Sequence, residues 1–414
     1  MKRLKNIGLF LFGTVLLLTG CRDDKFNIEP QMYDVSIQLS LPDNYSGGSP
    51  ENTTVRLINI DNQLESEGVT DANGQYTFHR VTAGTYRLSA GKKYPAAEAR
   101  SYGSTLVTDR DILQNRKVSL NYSQANITVT GNADLGKQTL KESLAGLLVI
   151  KELYYTGSRT PAGKAYWSDQ FVEIFNNSDD TIYLDSLYIA SVYGASGNST
   201  ATSPTPFASI QDSVFLDFVW MIPGSGKDHP LQPGKSIVIA QDGMNHRDDP
   251  NGNPNSIDLS HADWETFLYR PDKQRDIDFA EVPNLTEIFA SMQSTFDWIF
   301  NSYGTGIVIY RNYQPDDVHF VPRPNDTKGR TLMVVPAKWV LDGVDALASA
   351  DAGAYHRIPY SIDAGFVYCD GNFNLQSCRR KIEQDQDGRI ILTDTNNSSE
   401  DFEVIPFPTP GTFN

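Results

Sequence analysis

Apolar and polar residues alternate along the N-terminal part of the chain. The run 35–41, Val-Ser-Ile-Gln-Leu-Ser-Leu, alternates strictly, and this period of two is typical of a strand with one buried face. An Asn-Gly pair at 73–74 is a turn signal because both residues tolerate positive φ. Tyr76 and Phe78 then share one side of the next strand. The pattern predicts a small β-sandwich over residues 32–123.

A second group of strand-like stretches predicts another β-sandwich over residues 147–414. The stretches 147–155 and 170–185 are rich in Val, Ile, Phe and Tyr, the residues enriched in strands. The segments near 194–227 and 244–323 lack this regular pattern and are predicted to be insertions. The chain is therefore expected to be all-β, with two sandwich domains.

The stretch 124–146 is predicted to be the linker between the two domains. It mixes polar residues with glycine and has a short helix-like patch at 140–144, which indicates a boundary more than a core element. Within the second insertion, 264–269 and 285–292 have helix-like apolar spacing, so the insertions are expected to be partly helical.

Several of these stretches resemble known domain families. The series 70–78, followed by Gly-Thr-Tyr at 84–86, resembles carboxypeptidase-regulatory-like and collagen-adhesin-B-like domains. In the second domain, Phe-Val-Glu-Ile-Phe at 171–175, Asn-Asn-Ser-Asp at 176–179 and Pro-Thr-Pro-Gly at 408–411 resemble the lamin-tail domain. The resemblance implies an immunoglobulin-like sandwich preceded by a spacer domain, and it implies no activity.

The N-terminus has the pattern of a signal peptide. Cationic residues precede an apolar run at 7–18, which is too short to cross about 30 Å of hydrocarbon. The following Leu-Thr-Gly-Cys resembles the lipobox of bacterial lipoproteins, which implies cleavage after residue 20 and lipidation of Cys21. The charged run 22–25 resembles the export signal of surface lipoproteins of Bacteroidota. We therefore expect a lipidated tether over 21–31 and an outer-membrane protein facing the cell exterior.

The net charge indicates which classes of partner to expect, and the cysteines indicate a possible disulfide. Removal of Lys2, Arg3 and Lys5 with the signal peptide would take the net charge from −16 to −19, so nucleic acid is not expected as a partner. Cys369 and Cys378 are the remaining cysteines. In an oxidising compartment we expect them to form a disulfide; a metal or redox pair is the alternative.

Two stretches offer oxygen ligands for a cation. The loop 242–253 is dense in Asp and Asn, residues that suit Ca²⁺ but are also common in exposed turns. A second stretch, 383–394, has acids at the spacing of an EF-hand loop, but its flanks are typical of strands. No other cofactor is expected. The candidate calcium ligands are Asp242, Asn245, Asp248, Asp249 and Asn251.

The aromatic residues of the second insertion could form a platform for a sugar or an aromatic ring. Their alternative role is to pack the insertion onto the sheet. The candidate platform residues are Trp264, Phe267, Tyr269 and Trp298.

The sequence shows no recognisable catalytic motif. A pair of carboxylates for glycoside hydrolysis would lie close only in space, and nothing in the sequence singles out such a pair. Thr181, Ser186 and Ser213 each follow an aspartate and resemble the three-residue O-glycosylation site of Bacteroidota secreted proteins.

The order of parts along the whole chain resembles an uncharacterised family of Bacteroidota lipoproteins, of the domain of unknown function 4876 type. By analogy we expect a non-enzymatic surface protein that binds a small molecule or glycan, or that assists a TonB-dependent outer-membrane transporter. Two alternatives stay open: a secreted hydrolase acting on glycan or protein, and an architectural or adhesion component of the cell envelope.

Overall fold

Strands dominate the structure, a computed structural model that describes residues 31–292, 297–311, 314–386 and 389–413. They make up 41% of the chain against 7% for helix, and the expected all-β sandwich fold is confirmed. The predicted signal peptide and Cys21 lie outside the described residues. None of the helices in the described ranges has both the length and the apolar character needed to cross a membrane.

The first lobe comprises residues 32–144. Its elements are β1 (Met32–Ser40), β2 (Thr54–Asn59), β3 (Glu65–Val69), β4 (Gln75–Thr82), β5 (Gly84–Pro95), α1 (Ala96–Tyr102), α2 (Asp109–Leu113), β6 (Lys117–Val129), β7 (Ala133–Thr139) and β8 (Lys141–Leu144). Among these, one sheet has the order β4-β1-β7 and a second has the order β3-β2-β5-β6-β8. Alternate residues such as Val35, Leu57 and Phe78 fill the core between them.

The segment 124–146 is not a linker, contrary to the prediction. Strand β6 continues through Val129, β7 pairs with β1 in parallel, and β8 pairs with β6. The patch at 140–144 is therefore strand and not helix. Strands β7 and β8 are edge strands of their sheets, and one face of an antiparallel sheet can be exposed to water without apolar residues.

The second lobe begins at Leu148. Its strands are β9 (Leu148–Tyr154), β10 (Ser158–Arg159), β11 (Ala165–Tyr166), β12 (Phe171–Asn176), β13 (Ile182–Tyr183), β14 (Tyr188–Val192), β15 (Ser213–Met221), β16 (Pro230–Leu231), β17 (Ser236–Ala240), β18 (Trp264–Glu265), β19 (Thr286–Ala290), β20 (Gly306–Tyr310), β21 (His319–Pro322), β22 (Thr331–Pro336), β23 (Val340–Asp345), β24 (Ser377–Arg380), β25 (Ile382–Gln386), β26 (Arg389–Leu392) and β27 (Phe402–Ile405). The helix α3 (Ser398–Asp401) and the short 3-10 turns Pro315–Asp317, Ala337–Trp339 and Ala352–Tyr355 complete it.

Two large sheets enclose the core of this lobe. Within the described residues one has the order β18-β17-β12-β9-β24-β27, and the other has the order β21-β22-β15-β14-β20-β23 with β19 paired to β15. Side chains from both sheets, including Ile174, Ile189 and Trp220, form one buried cluster. This is the sandwich that the apolar strands 147–155 and 170–185 predicted.

The two segments that were predicted to be insertions contain strands of the sandwich itself: β15 lies within 194–227 and β20 within 244–323, both inside the second large sheet. The segment 244–323 is also not helical where the spacing indicated helix. Residues Trp264–Glu265 form β18, which extends the first sheet, and Thr286–Ala290 form β19, which pairs with β15. In the part of this insertion that the structure describes, the only helical turn is Pro315–Asp317. Pairing with an existing sheet satisfies the backbone of these short segments, so tertiary context overrides their helix-like spacing.

The central strands β9 and β12 carry a buried ion pair. The Lys151 Nζ lies 2.7 Å from Glu173 Oε1, and both side chains are fully buried. The same Nζ donates to the carbonyl oxygen of Thr412 at 2.6 Å and lies 4.0 Å from the ring centre of Phe413. Residues near 409–413 thus cover the face of the sheet that points away from the main core.

Polar contacts join the two lobes. Arg56 of β2 forms an ion pair with Glu400 of α3. Lys93 and Lys117 both reach Glu383 of β25, at 3.0 and 2.6 Å. These ion pairs fix the position of the first lobe relative to the second.

Candidate ligand cleft between the two lobes

A cleft of about 390 Å³ lies between α2 of the first lobe and the strands of the second. Arginine is its most frequent charged residue, and we call it the arginine cleft. It is lined by Arg110, Asp111, Gln114, Arg116, Gly146, Leu147, Leu148, Ser178, Asp180, Thr181, Ile182, Tyr183, Arg311 and Leu341.

The first-lobe wall is fixed by a capping box. Thr108 caps α2, and its side chain and that of Asp111 exchange hydrogen bonds with each other's backbone N–H groups. Asp111 also accepts from Arg116 Nη1 at 2.7 Å, while Arg116 Nε donates to the carbonyl oxygen of Ala145 at 2.8 Å. Burial alone would raise the pKa of Asp111, but the bonds from Thr108 and Arg116 lower the pKa below its usual value. Asp111 is therefore ionised and paired with Arg116.

The second-lobe wall holds Arg311 by backbone contacts alone. Its Nη1 donates to the carbonyl oxygen of Asp185 at 2.9 Å, and its Nη2 donates to that of Tyr183. Arg110, on α2, is exposed. In the described part of the chain neither Arg110 nor Arg311 takes part in an ion pair. Among the described residues, no carboxylate lies within ion-pair distance of either guanidinium group, although Asp180 also lines the cleft.

An apolar surface lies beside these cations. Leu147, Ile182 and Leu341 are half-buried in the cleft, and the ring of Tyr183 is 38% exposed. A guanidinium group offers a planar fork of donors that matches a carboxylate, and an exposed aromatic ring offers a stacking face. The cleft can therefore bind a small anion that has an apolar or ring-shaped body.

The aromatic platform predicted from the sequence is not assembled. Trp264 and Trp298 are buried in the core between the sheets, and Trp298 packs against Trp220 with ring centres 6.0 Å apart. Phe267 and Tyr269 contact each other at 6.3 Å, and only Tyr269 is strongly exposed. The large rings fill the sandwich, because burying them removes more apolar surface from water than any exposed arrangement.

In the loop predicted to bind calcium, most of the polar side chains form hydrogen bonds within the loop. Asn245 donates to Asp248 Oδ2 at 2.7 Å, and Asp249 accepts from the backbone of Asn251 at 2.8 Å. Asp242 alone points elsewhere, into a group of carboxylates with Asp276 and Asp297. Those two aspartates come from distant parts of the insertion, so no local spacing could have indicated them. The EF-hand-like stretch forms the hairpin of β25 and β26, as its flanks indicated.

The two cysteines lie side by side in the core. Cys369 and Cys378 are buried, and their Sγ atoms are 3.6 Å apart, in contact but not bonded. Burial raises the pKa of the Cys378 thiol well above its usual value. The structure brings the predicted pair together, and the disulfide itself stays a prediction.

The three candidate glycosylation residues occupy different settings. Thr181 lines the arginine cleft and donates to Gln232 Oε1 at 2.9 Å. Ser186 is exposed at a φ of +58°. Ser213 begins β15 and donates to Asp212 at 2.9 Å. Their modification stays a prediction.

Comparison with known proteins shows a solved structure that is similar to this chain over most of its length. The crystal structure of a DUF4876 family protein from Bacteroides thetaiotaomicron VPI-5482 is 26% identical, with a TM-score of 0.55, over 90% of this chain and 94% of that chain. A candidate carbohydrate-binding protein from Pseudomonas aeruginosa is 17% identical over 27% of this chain and 91% of that one, with a TM-score of 0.17. A candidate adhesin from Bacteroides ovatus ATCC 8483 is 10% identical over 78% of this chain and 89% of that one, with a TM-score of 0.20.

The last two likenesses are too weak to support an argument about function. Among curated proteins, none matches this sequence. Residues 232–409 match DUF4876, a family described as proteins of unknown function. The chain is thus similar to DUF4876 proteins in the sequence of residues 232–409 and in its fold.

Proposed function

We propose that this protein is a non-enzymatic binding protein of the cell surface that holds a small carboxylate-bearing ligand in the arginine cleft. The observation that carries the proposal is the pair Arg110 and Arg311, which have no carboxylate partner in the described part of the chain. The net charge of the full chain is −16. In so acidic a protein, cations that converge on a cleft without being neutralised favour an external anion.

The apolar wall narrows the ligand class. An inorganic anion would leave Leu147, Leu341 and the Tyr183 ring in contact with water. A hexuronic acid or an aromatic carboxylic acid would place its carboxylate on the guanidinium groups and its ring on this wall. We therefore expect affinity for ring-bearing carboxylates over phosphate or acetate.

Ligand-observed NMR on the purified protein, with glucuronate, galacturonate, benzoate, acetate and phosphate as probes, tests this expectation, followed by calorimetry on those that bind. A charge-assisted hydrogen bond contributes about 1.5–3 kcal/mol. Replacing Arg311 by Met should therefore weaken binding about 10- to 150-fold.

Arg159 provides the matched control. Its Nη1 also donates to a backbone carbonyl, that of Gly163 at 3.2 Å, but it does not line the cleft. Arg159→Met should leave the affinity unchanged. Absence of binding by every ring-bearing probe, or equal loss in both variants, would overturn the proposed ligand site.

The surface location is a separate part of the proposal, supported by the lipobox-like sequence that ends at Cys21. Cys21→Ser should move the protein from the membrane to the soluble fraction of cells, whereas Cys378→Ser should not. Proteolysis of the wild-type protein on intact cells should occur if it faces outward. Retention of the Cys21→Ser protein in the membrane would refute the anchor.

The proposed partner is a TonB-dependent outer-membrane transporter, to which the bound ligand would be passed. Affinity capture from detergent-solubilised outer membranes should recover one transporter in a stoichiometric amount. Recovery of no transporter would leave a ligand-binding protein and remove this partner from the proposal.

A further inference from the structure

Three aspartates that the proposed cleft does not use form a buried cluster in the second lobe. One carboxylate oxygen from each of Asp242, Asp276 and Asp297 lies within 4.8 Å of the other two, and each residue is at least nine-tenths buried. Asp242 follows β17, a strand of the large sheet, whereas the other two belong to separate segments of the insertion. We call these three residues the acid cluster.

The acid cluster contains oxygen atoms that the protein does not satisfy. Asp276 Oδ2 accepts from the backbone N–H of Leu268 at 2.8 Å, and Asp297 Oδ2 accepts from Gln241 Nε2. Asp276 Oδ1 and Asp297 Oδ1 have no hydrogen-bond partner among the described residues. Buried oxygens without hydrogen-bond donors are rare in native proteins, because their desolvation free energy is then not compensated.

Gln241 supplies a second, independent sign of a missing partner. It is neutral and 2% exposed, and its amide lies against Asp297. Its Oε1 is also buried without a hydrogen-bond donor. Ionised carboxylates carry no proton that they could donate to this amide oxygen. A cation bound by the aspartates would be a partner for these free oxygens.

The acid cluster has no positively charged ion-pair partner among the described residues. None of the ion pairs found in the described ranges includes Asp242, Asp276 or Asp297. Burying three carboxylates without a positively charged partner is unfavourable. Buried charges in native proteins are paired or coordinate metals, and a divalent cation would compensate these carboxylates.

The chemistry of the donors selects the cation. All of them are hard oxygen atoms, as Ca²⁺ and Mg²⁺ prefer, and thiolate and imidazole ligands of zinc or copper are not among them. The nearby His246 is turned away, because its Nε2 contacts the carbonyl oxygen of Asp242 at 3.1 Å and its Nδ1 contacts Tyr166 Oη at 2.7 Å. We propose that the acid cluster and the Gln241 amide oxygen bind one calcium ion. Calcium fits better than magnesium because an irregular set of four protein side chains does not impose the octahedral geometry that magnesium demands.

The surrounding acid Glu265 has a different role. Its two carboxylate oxygens accept from the backbone N–H groups of Gly243 and Phe279, at 2.7 and 2.8 Å. It therefore positions the segments that carry Asp242 and Asp276 and is not a ligand. Calcium in the acid cluster would tie both segments and Asp297 to the sheet, so ion binding should stabilise the insertion.

The proposal is tested on the full chain after treatment with chelator and desalting. Calorimetry with CaCl₂ should show one bound ion per chain and a higher unfolding temperature in calcium than in chelator, with weaker binding of MgCl₂. Terbium, which replaces calcium, should show luminescence excited through the adjacent Trp298. Asp297→Asn should weaken calcium binding about 100-fold or more.

Asp248→Asn is the control, because Asp248 belongs to the neighbouring acidic loop but not to the acid cluster. It should bind calcium like the wild type. If Asp297→Asn does not fold, Asp276→Asn and the terbium signal of the wild type decide the question. No stoichiometric calcium on the wild type, tighter binding of magnesium, or loss in Asp248→Asn alone would overturn the site.

Discussion

Removing the charge of Lys151 should destabilise the second lobe strongly. Lys151 pairs with Glu173 in the interior of the sheet at 2.7 Å, with no exposure of either side chain. In Lys151→Met the Glu173 carboxylate stays buried with only the donors Ser236 Oγ and the Gly411 backbone N–H. Removing one partner of a buried pair reduces stability by about 3–5 kcal/mol, and we expect a loss of that size.

The double variant Lys151→Met, Glu173→Met separates the charge effect from packing. It removes both charges, so the losses are the two further hydrogen bonds of Glu173 and the bond from Lys151 to the carbonyl oxygen of Thr412. At about 1 kcal/mol each, the double variant should be about 3 kcal/mol less stable than the wild type and no less stable than Lys151→Met.

Urea-induced unfolding followed by circular dichroism measures these differences in the free energy of unfolding. Lys164→Met, at an exposed position, serves as the control and should change stability by no more than about 0.5 kcal/mol. A loss below about 1 kcal/mol in Lys151→Met, or a double variant whose loss equals the sum of the two single losses, would refute the reasoning.

Three further predictions concern other buried groups. Burial raises the pKa of Asp169 to about 6, against hydrogen bonds from surrounding hydroxyls; because this is above the unfolded value of 3.8, its contribution is fully present below pH 4 and about 3 kcal/mol is lost as the pH rises through 6. Asp169→Asn should remove this pH dependence, and parallel unfolding profiles of the two proteins between pH 4 and 7 would contradict it. Cys369 and Cys378 should be recovered as one disulfide-linked peptide pair from oxidised protein, measured by mass spectrometry without reduction; two alkylated thiols would show that the pair stays reduced. Glu400→Ala should weaken the contact between the lobes by about 1 kcal/mol, because its pairing with Arg56 is partly exposed, and faster hydrogen exchange in β2 should report it; unchanged exchange there would exclude this role.

The local pattern of apolar residues predicted strands correctly where the strand packs against the core. The alternation at 35–41 matches the alternating burial of β1, and the apolar run at 171–175 matches β12, which is buried throughout. In both strands the pattern of apolar residues shows which faces are buried. The strands could therefore be predicted without knowing which other strands pack against them.

The patterns misled where a distant partner decides the structure. Strand β7 has mostly half-buried and exposed residues, and it is a strand because β1 pairs with it across about a hundred residues of chain. The apolar spacing of Thr286–Ala290 also suits a helix, but the edge of β15 satisfies its backbone. Pairing of this kind leaves little trace in the local sequence.

The candidate sites could not be predicted from the sequence either, because their residues are distant in the chain and come together only in the folded protein. Arg110 and Arg311 lie about 200 positions apart in the sequence and meet only where the lobes face each other. Asp242 was recognised within an acidic loop, yet its partners Asp276 and Asp297 come from other segments. Composition can mark a residue as a candidate, but the unpartnered oxygens that indicate a ligand appear only in the folded protein.

The strand order of the large sheet also sets how the protein can fold. Strand β9 pairs with β24 through Cys378 and Leu153, which are separated by more than half of the chain. Before β24 has paired during folding, one edge of the apolar strand β9 is unpaired and can bind another strand. Such non-local pairing slows folding, because the entropy of closing the loop is lost before any contact is gained. Folding of the second lobe should therefore be slow and should depend on protection of β9 while the intervening residues assemble.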